Sequence, residues 1–138
     1  MVNVIISSDS RYNISRAAIQ TAVLGVLGKH NVRGKVEIEV GIVGDRKMHE
    51  LNKKYRGLDC TTNILSFALE DPSSQNLQSI PRIGFVAAPD GWLRLGSIII
   101  SYPQAVQDAV LGGTSVEEEI IFLVDHGTTH LLGIHHPE

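Results

Sequence analysis

Cysteine is nearly missing from this chain. Cys60 stands alone, so no internal disulfide forms and an extracellular, disulfide-stapled scaffold is excluded; a reducing cytoplasm is the expected home. Aromatic residues are scarce at 5%, which leaves the core to Ile, Val, Leu and Ala. There is no basic excess. Lys and Arg number 12 against 15 Asp and Glu, for a net charge of -3, so any nucleic-acid contact must come from a local patch. Long apolar runs are missing too. The longest, Ile120–Val124, and the all-isoleucine run Ile98–Ile100 fall far short of the roughly 20 residues that span a bilayer. The opening MVNVIISSDS has neither a basic region nor a long apolar one, so no secretory signal is expected and no membrane partner. What remains is 43% apolar and 20% charged over 138 residues, a composition that suits one folded domain, residues 1–138, with a single core.

Periodicity divides the chain into eight elements. Val2–Ser7 reads as a strand. Asn13 or Ser15 is placed to cap a helix whose apolar stripe is Ala17, Ile19, Ala22, Val23, Val26 and Leu27, with stop signals at Gly28 and Asn31. Lys35–Ile42 alternates with period two, as a half-buried strand does. Asp45 is placed to cap a second helix through Met48, Leu51 and Tyr55, stopping at Gly57. Thr62–Leu69 and Leu95–Ser101 are strands, and Asp71–Arg94, which holds most of the prolines, is a long loop with room for a short hairpin. Pro103 suits the first turn of a third helix ending at Gly112–Gly113. Ser115 and Glu118 form a capping box for the fourth, which runs into the histidines and ends near Gly133. The order β-α-β-α-β-β-α-α predicts an α/β domain of the mixed α+β kind, with one mixed sheet of about four strands covered by about four helices.

Four of the six histidines fall in the last thirteen residues. His126 and His130 are four apart on the last helix, hence on one face, with Cβ atoms about 5–6 Å apart. Past Gly133 the chain is free to turn back and bring His135 or His136 to the same ion. Three protein nitrogens with an open fourth position is the usual catalytic zinc arrangement. The helical protease signal H-E-x-x-H places a Glu general base after the first histidine. Here that residue is Gly127, so a proteolytic mechanism lacks its base. A glycine inside a helix costs about 1 kcal/mol relative to Ala. It is expected where a substrate or another backbone must come close.

The segment H-G-x-x-H-L-x-G-x-x-H resembles the signature of the YbeY-type endoribonucleases, the bacterial rRNA maturation factors. Tyr55-Arg56-Gly57-Leu58-Asp59 with Thr62-Asn63-Ile64-Leu65-Ser66-Phe67 is similar to that family's Y-R-G-x-D…T-[ND]-V-L-S-F segment, and Leu95-Gly96-Ser97-Ile98 resembles its L-G-D-I strand. The resemblance implies a mixed α/β fold, one zinc ion per chain held by His126, His130 and His136, and metal-dependent cleavage of single-stranded RNA. It also implies ribosomal RNA as the substrate and the ribosome or its associated proteins as partners, with no DNA expected. Arg56 matches the family's functionally important arginine. Three positions depart from the pattern. Ile134-His135 replaces Tyr-Asp, Thr129 replaces a Leu, and Ser97 replaces an Asp whose carboxylate could orient a ligand histidine. The resemblance also leads one to expect a further helix beyond Glu138.

Phosphodiester cleavage needs positive charge where negative charge gathers, and a planar guanidinium such as that of Arg56 grips phosphate in bidentate fashion. Lys53 and Lys54 add a small basic patch; the plain alternative is a solvated helix end favouring the negative dipole pole. Ser66 and Phe67 are expected to line the cleft, Phe67 either stacking on a base or serving the core. Cys60 has no spaced partner and reads as structural or exposed, His30 and His49 as surface residues. Arg82 and Arg94 flank the long loop. The leading expectation is a zinc-dependent single-strand endoribonuclease. Its rivals are a metallohydrolase of another substrate, such as a peptide, and a ribosome- or protein-binding module with structural zinc.

Overall fold

The computed structural model of the protein describes residues 1–68 and 92–133. Eight elements follow in the expected order: β1 (Val2–Ser8), α1 (Arg16–Lys29), β2 (Val36–Val43), α2 (Asp45–Arg56), β3 (Ile64–Ala68), β4 (Leu93–Ser101), α3 (Tyr102–Gly112) and α4 (Val116–Leu131). The strands form one mixed sheet in the order β1-β2-β4-β3. β1 and β2 are parallel, β2 and β4 are parallel, and β3 runs antiparallel to β4. Most of the stretch expected as a long loop lies outside the described residues; its end does not, since Leu93 and Arg94 already belong to β4.

The core explains the sheet. Val36, Ile38, Val40 and Ile42 of β2 are all buried, as are Ile98 and Ile100 of β4, which pair with Val40 and Ile42 and share their face. They pack against Ile19, Val23 and Leu27 of α1 and Ile120, Leu123 and Val124 of α4. Burying each such side chain contributes about 1.5–3 kcal/mol. Glu39 and Ser97 occupy the opposite face, where the Ser97 hydroxyl donates to Glu39 Oε1 at 2.8 Å.

Helix ends follow the sequence with one adjustment. Ser15 is the cap of α1, accepting from the Ala18 N–H at 3.1 Å, and of the two expected stop signals it is Asn31, at φ 58°, through which the chain leaves that helix. The cap of α2 is Gly44, not Asp45. A Cβ at Gly44 would meet the Tyr12 hydroxyl at 2.9 Å, and the Asp45 carboxylate is engaged elsewhere. At α4 the capping box is complete, with Ser115 Oγ accepting from Glu118 N at 3.0 Å and Glu118 Oε1 from Ser115 N at 2.9 Å. No helix among the described residues is long and apolar enough to cross a membrane.

Candidate active site

Strand β3 is the edge of the sheet, and an open cleft of about 430 Å³ follows it. Its walls are Tyr55 and Arg56 from the end of α2, Ile64–Phe67 of β3, and His126 and His130 of α4. Residues far apart in sequence thus meet at one place.

Each wall has a local cause. Gly57 caps α2 at φ 71°, a left-handed conformation that turns the chain out directly after Arg56. The connection to β3 is then braced at four points. The Leu58 N–H reaches Asn52 O at 3.3 Å, and the buried Asn52 amide donates to Cys60 O at 2.9 Å. The Thr61 hydroxyl donates to Asp45 at 3.0 Å, and the Asn63 amide to Asp108 at 3.1 Å. Burial alone would raise the Asp45 carboxyl, but hydrogen bonds from Ser101, Gln104 and Thr61 outweigh it and hold the group below the usual carboxylate range. Asp59 is likewise held low, by a 2.6 Å hydrogen bond with His49 and by nearby Lys53.

Gly127 sets the position of α4. A Cβ there would meet Ile98 Cγ2 at 3.0 Å and Ile64 Cδ1 at 3.1 Å. The close neighbour is therefore the apolar face of the sheet, not a substrate or another backbone as expected from the sequence. Position 127 is buried against that sheet while His126 and His130 are exposed. Gly96 does similar work in β4. It sits at φ 140°, and a Cβ would run into the Phe67 carbonyl oxygen, so only glycine lets β3 lie this close.

Of the expected site residues, Arg56, Ser66, Phe67, His126 and His130 share the cleft. His135 and His136 lie outside the described residues, and so does Arg82. Among the described residues no three His, Cys, Asp or Glu side chains gather as a metal site. Lys53 and Lys54 do not line the cleft. Both are exposed on α2, Lys53 with its Nζ 4.0 Å from Asp59 and Lys54 over the Tyr55 ring at 5.2 Å. Phe67 is half-buried, with Tyr55 edge-on at 5.2 Å, so it serves packing and cleft wall together. Arg94 pairs with Glu37 at 3.3 Å, and Cys60 and His49 are exposed. Ser97 is on the sheet face opposite Ile98, paired across the ladder with Phe67, and its hydroxyl is engaged by Glu39. The hydroxyl of Thr129 bonds back to Asp125 O at 2.9 Å, satisfied within the helix.

Phe122, next to His126 on α4, is a residue that the motifs do not mark. Its ring stacks on His126 with centroids 6.4 Å apart, and it is 62% exposed. A signal for it is present in the spacing: positions 122, 126 and 130 form one line along a helix.

A family model described as Endoribonuclease YbeY matches residues 5–138. The chain belongs to that family. It is 36% identical over 137 residues to the Endoribonuclease YbeY of Dehalococcoides mccartyi, covering 99% of this chain and 78% of the relative. Identity to that of Roseiflexus castenholzii is 40% over 123 residues, covering 89% and 71%. To that of Moorella thermoacetica it is 43% over 105 residues, covering 76% and 63%. The solution structure of a Thermotoga maritima protein, TM1509, shares the fold with a TM-score of 0.57 at 22% identity, covering 97% of this chain and 75% of that one. In this YbeY-family member the Tyr55–Phe67 block builds one wall of the cleft and the His126–His130 block the facing one.

Proposed function

We propose that this chain is a zinc-dependent endoribonuclease that cleaves single-stranded RNA in ribosomal RNA maturation and ribosome quality control, with ribosome-associated proteins as partners. The observation that carries the reading is the convergence of Arg56 with His126 and His130 in one open cleft. Two exposed imidazoles one helical turn apart are a suitable donor pair for a borderline cation, and His136 completes a set of three nitrogens. Zinc held there supplies Lewis acidity toward a phosphoryl oxygen and acidifies a water. Arg56 places its fork on the phosphate as negative charge develops. Among the described residues it forms no ion pair. Ser66 offers a hydroxyl beside it, and Phe122 offers an open ring to a base next to the scissile bond. A peptidase reading is disfavoured because position 127, where the helical protease signal carries its Glu, is a glycine facing Ile64 and Ile98.

Arg56→Ala is expected to cut cleavage by about two to three orders of magnitude while zinc content stays at one per chain, and Arg56→Lys to rescue only in part. Metal analysis of His126→Ala, His130→Ala and His136→Ala is expected to show loss of zinc, and His135→Ala retention. Wild-type cleavage by Arg56→Ala with zinc in place sinks the phosphate role, and full occupancy in the first two histidine variants sinks the metal site. Product ends identify the nucleophile: a 2′,3′-cyclic phosphate implicates the ribose hydroxyl, and a 5′-phosphate implicates water.

A further inference from the structure

We infer that the protein has a second phosphate-binding pocket at the other end of α2, and that the exposed face of this helix carries one single strand of RNA between the two. The inference rests on the endoribonuclease reading. A cavity of about 500 Å³ opens where the carboxyl ends of the parallel strands β1 and β2 meet the start of α2. It is lined by Ser7, Ser8, Arg11, Arg46, Lys47 and Glu50, among others.

The cavity's charges favour an anion. Arg46 and Lys47 make no ion pair among the described residues, and Lys47 is exposed. Asp9, also at the rim, is occupied by Arg11 at 3.0 Å, which leaves Glu50 as the opposing carboxylate. Gly44 provides no side-chain cap, so the first N–H groups of α2 add donors to the same space.

The helix itself supplies the link. α2 carries five basic residues and two acidic ones, a net charge of +3 inside a chain of net charge -3, so all other residues together carry -6. One acidic residue, Asp45, is turned inward onto Thr61, Ser101 and Gln104. Arg46, Lys47, Lys53 and Lys54 reach solvent within about 120° of the helix circumference, a basic band interrupted by Glu50, and Arg56, about 60° beyond Lys53, ends it at the cleft. From Arg46 to Arg56 the axial distance is about 15 Å, at 1.5 Å per residue. A stacked strand covers that in about four or five nucleotides at roughly 3.4 Å each. Repeated negative charge at regular spacing is what a band of this length fits, and a small phosphorylated molecule would fill one end only. This gives Lys53 and Lys54 a place: they lie along the path between the sites rather than in the cleft.

Binding of labelled single-stranded RNA, followed by fluorescence anisotropy across a salt series, tests this with the zinc-loaded protein. The probes are a trinucleotide, too short to reach both ends, and a dodecanucleotide. Arg46→Ala/Lys47→Ala is expected to weaken the dodecanucleotide by about tenfold and to lower its salt slope by about 1.4, some 0.7 for each phosphate no longer neutralised. Trinucleotide affinity should hold. Wild-type affinity and slope for the dodecanucleotide overturn the proposal, as does an equal loss for both lengths. If the unaltered protein binds with this length dependence yet cleaves nothing, the second pocket stands and the endoribonuclease reading falls.

Discussion

Gly127 gives up helix propensity so that α4 can lie close to the sheet. The missing Cβ leaves just enough room for Ile98 and Ile64, and the two histidines beside it are thereby held at the edge of β3. Gly127→Ala would gain about 1 kcal/mol of helix propensity. It would also force a methyl into atoms 3.0–3.1 Å away, an overpacking that typically costs about 1–3 kcal/mol. The expected net effect is a loss of up to about 2 kcal/mol, measured as a lower urea midpoint at unchanged slope. A stabilised variant would show that the two isoleucines move aside freely. The same packing explains why the sequence misleads about this glycine. A helix-interior Gly announces close approach, but which group approaches is settled by strands far away in the chain.

At the level of the element, α4 combines a buried face and a working face. Ile120, Leu123, Val124, Gly127, Thr128 and Leu131 are buried, while Phe122, His126 and His130 project outward in a row. The acidic first turn and complete capping box stabilise the end far from the cleft. An aromatic ring 62% exposed is unusual in a chain so poor in aromatics. Base–aromatic stacking is worth about 1–3 kcal/mol. Phe122→Ala is therefore expected to raise KM for RNA by about tenfold with zinc content unchanged, and Phe122→Tyr to restore it. Unaltered KM in the alanine variant would remove the ring from the substrate site.

At the scale of the whole molecule, Asp45 ties the separate parts together. From the first turn of α2 it accepts from Thr61 in the connection to β3, from Ser101 at the end of β4 at 2.8 Å, and from Gln104 in α3 at 3.2 Å. Its carboxyl is held below the ordinary range in the folded state. The stabilisation it brings is thus fully present above the unfolded value, and is lost as pH falls through the lower, folded one. Stability should fall below about pH 4, and Asp45→Asn should flatten that limb while lowering stability at neutral pH. Denaturant titrations between about pH 2 and 7 measure both; an unchanged acid limb in the variant would assign it to other carboxylates. Arg56 and Ser66 depend on this hub for their common cleft, because it anchors the connection between α2 and β3.

What the sequence determined by itself is local. Periodicity named all eight elements in order, since a strand buried on one side or a helix with an apolar stripe leaves its period in the chain. Caps at Ser15, Ser115 and Gly57 were legible because their partners lie within five residues. The i,i+4 histidine pair was legible for the same reason, and so was the family. Which residues meet across distance depends on the folded chain. It gave the Ser97 hydroxyl to Glu39, because strand alternation and the pairing of β2 with β4 put the two on one face. It turned Asp45 from an expected cap into a hub, because Ser101, Gln104 and Thr61 arrive from three other segments. It moved Lys53 and Lys54 out of the cleft onto a solvent face, and it opened a second cavity at the start of the same helix. None of these follows from spacing, because each depends on how the sheet orders β3 beside β4 and how closely the helices can approach it.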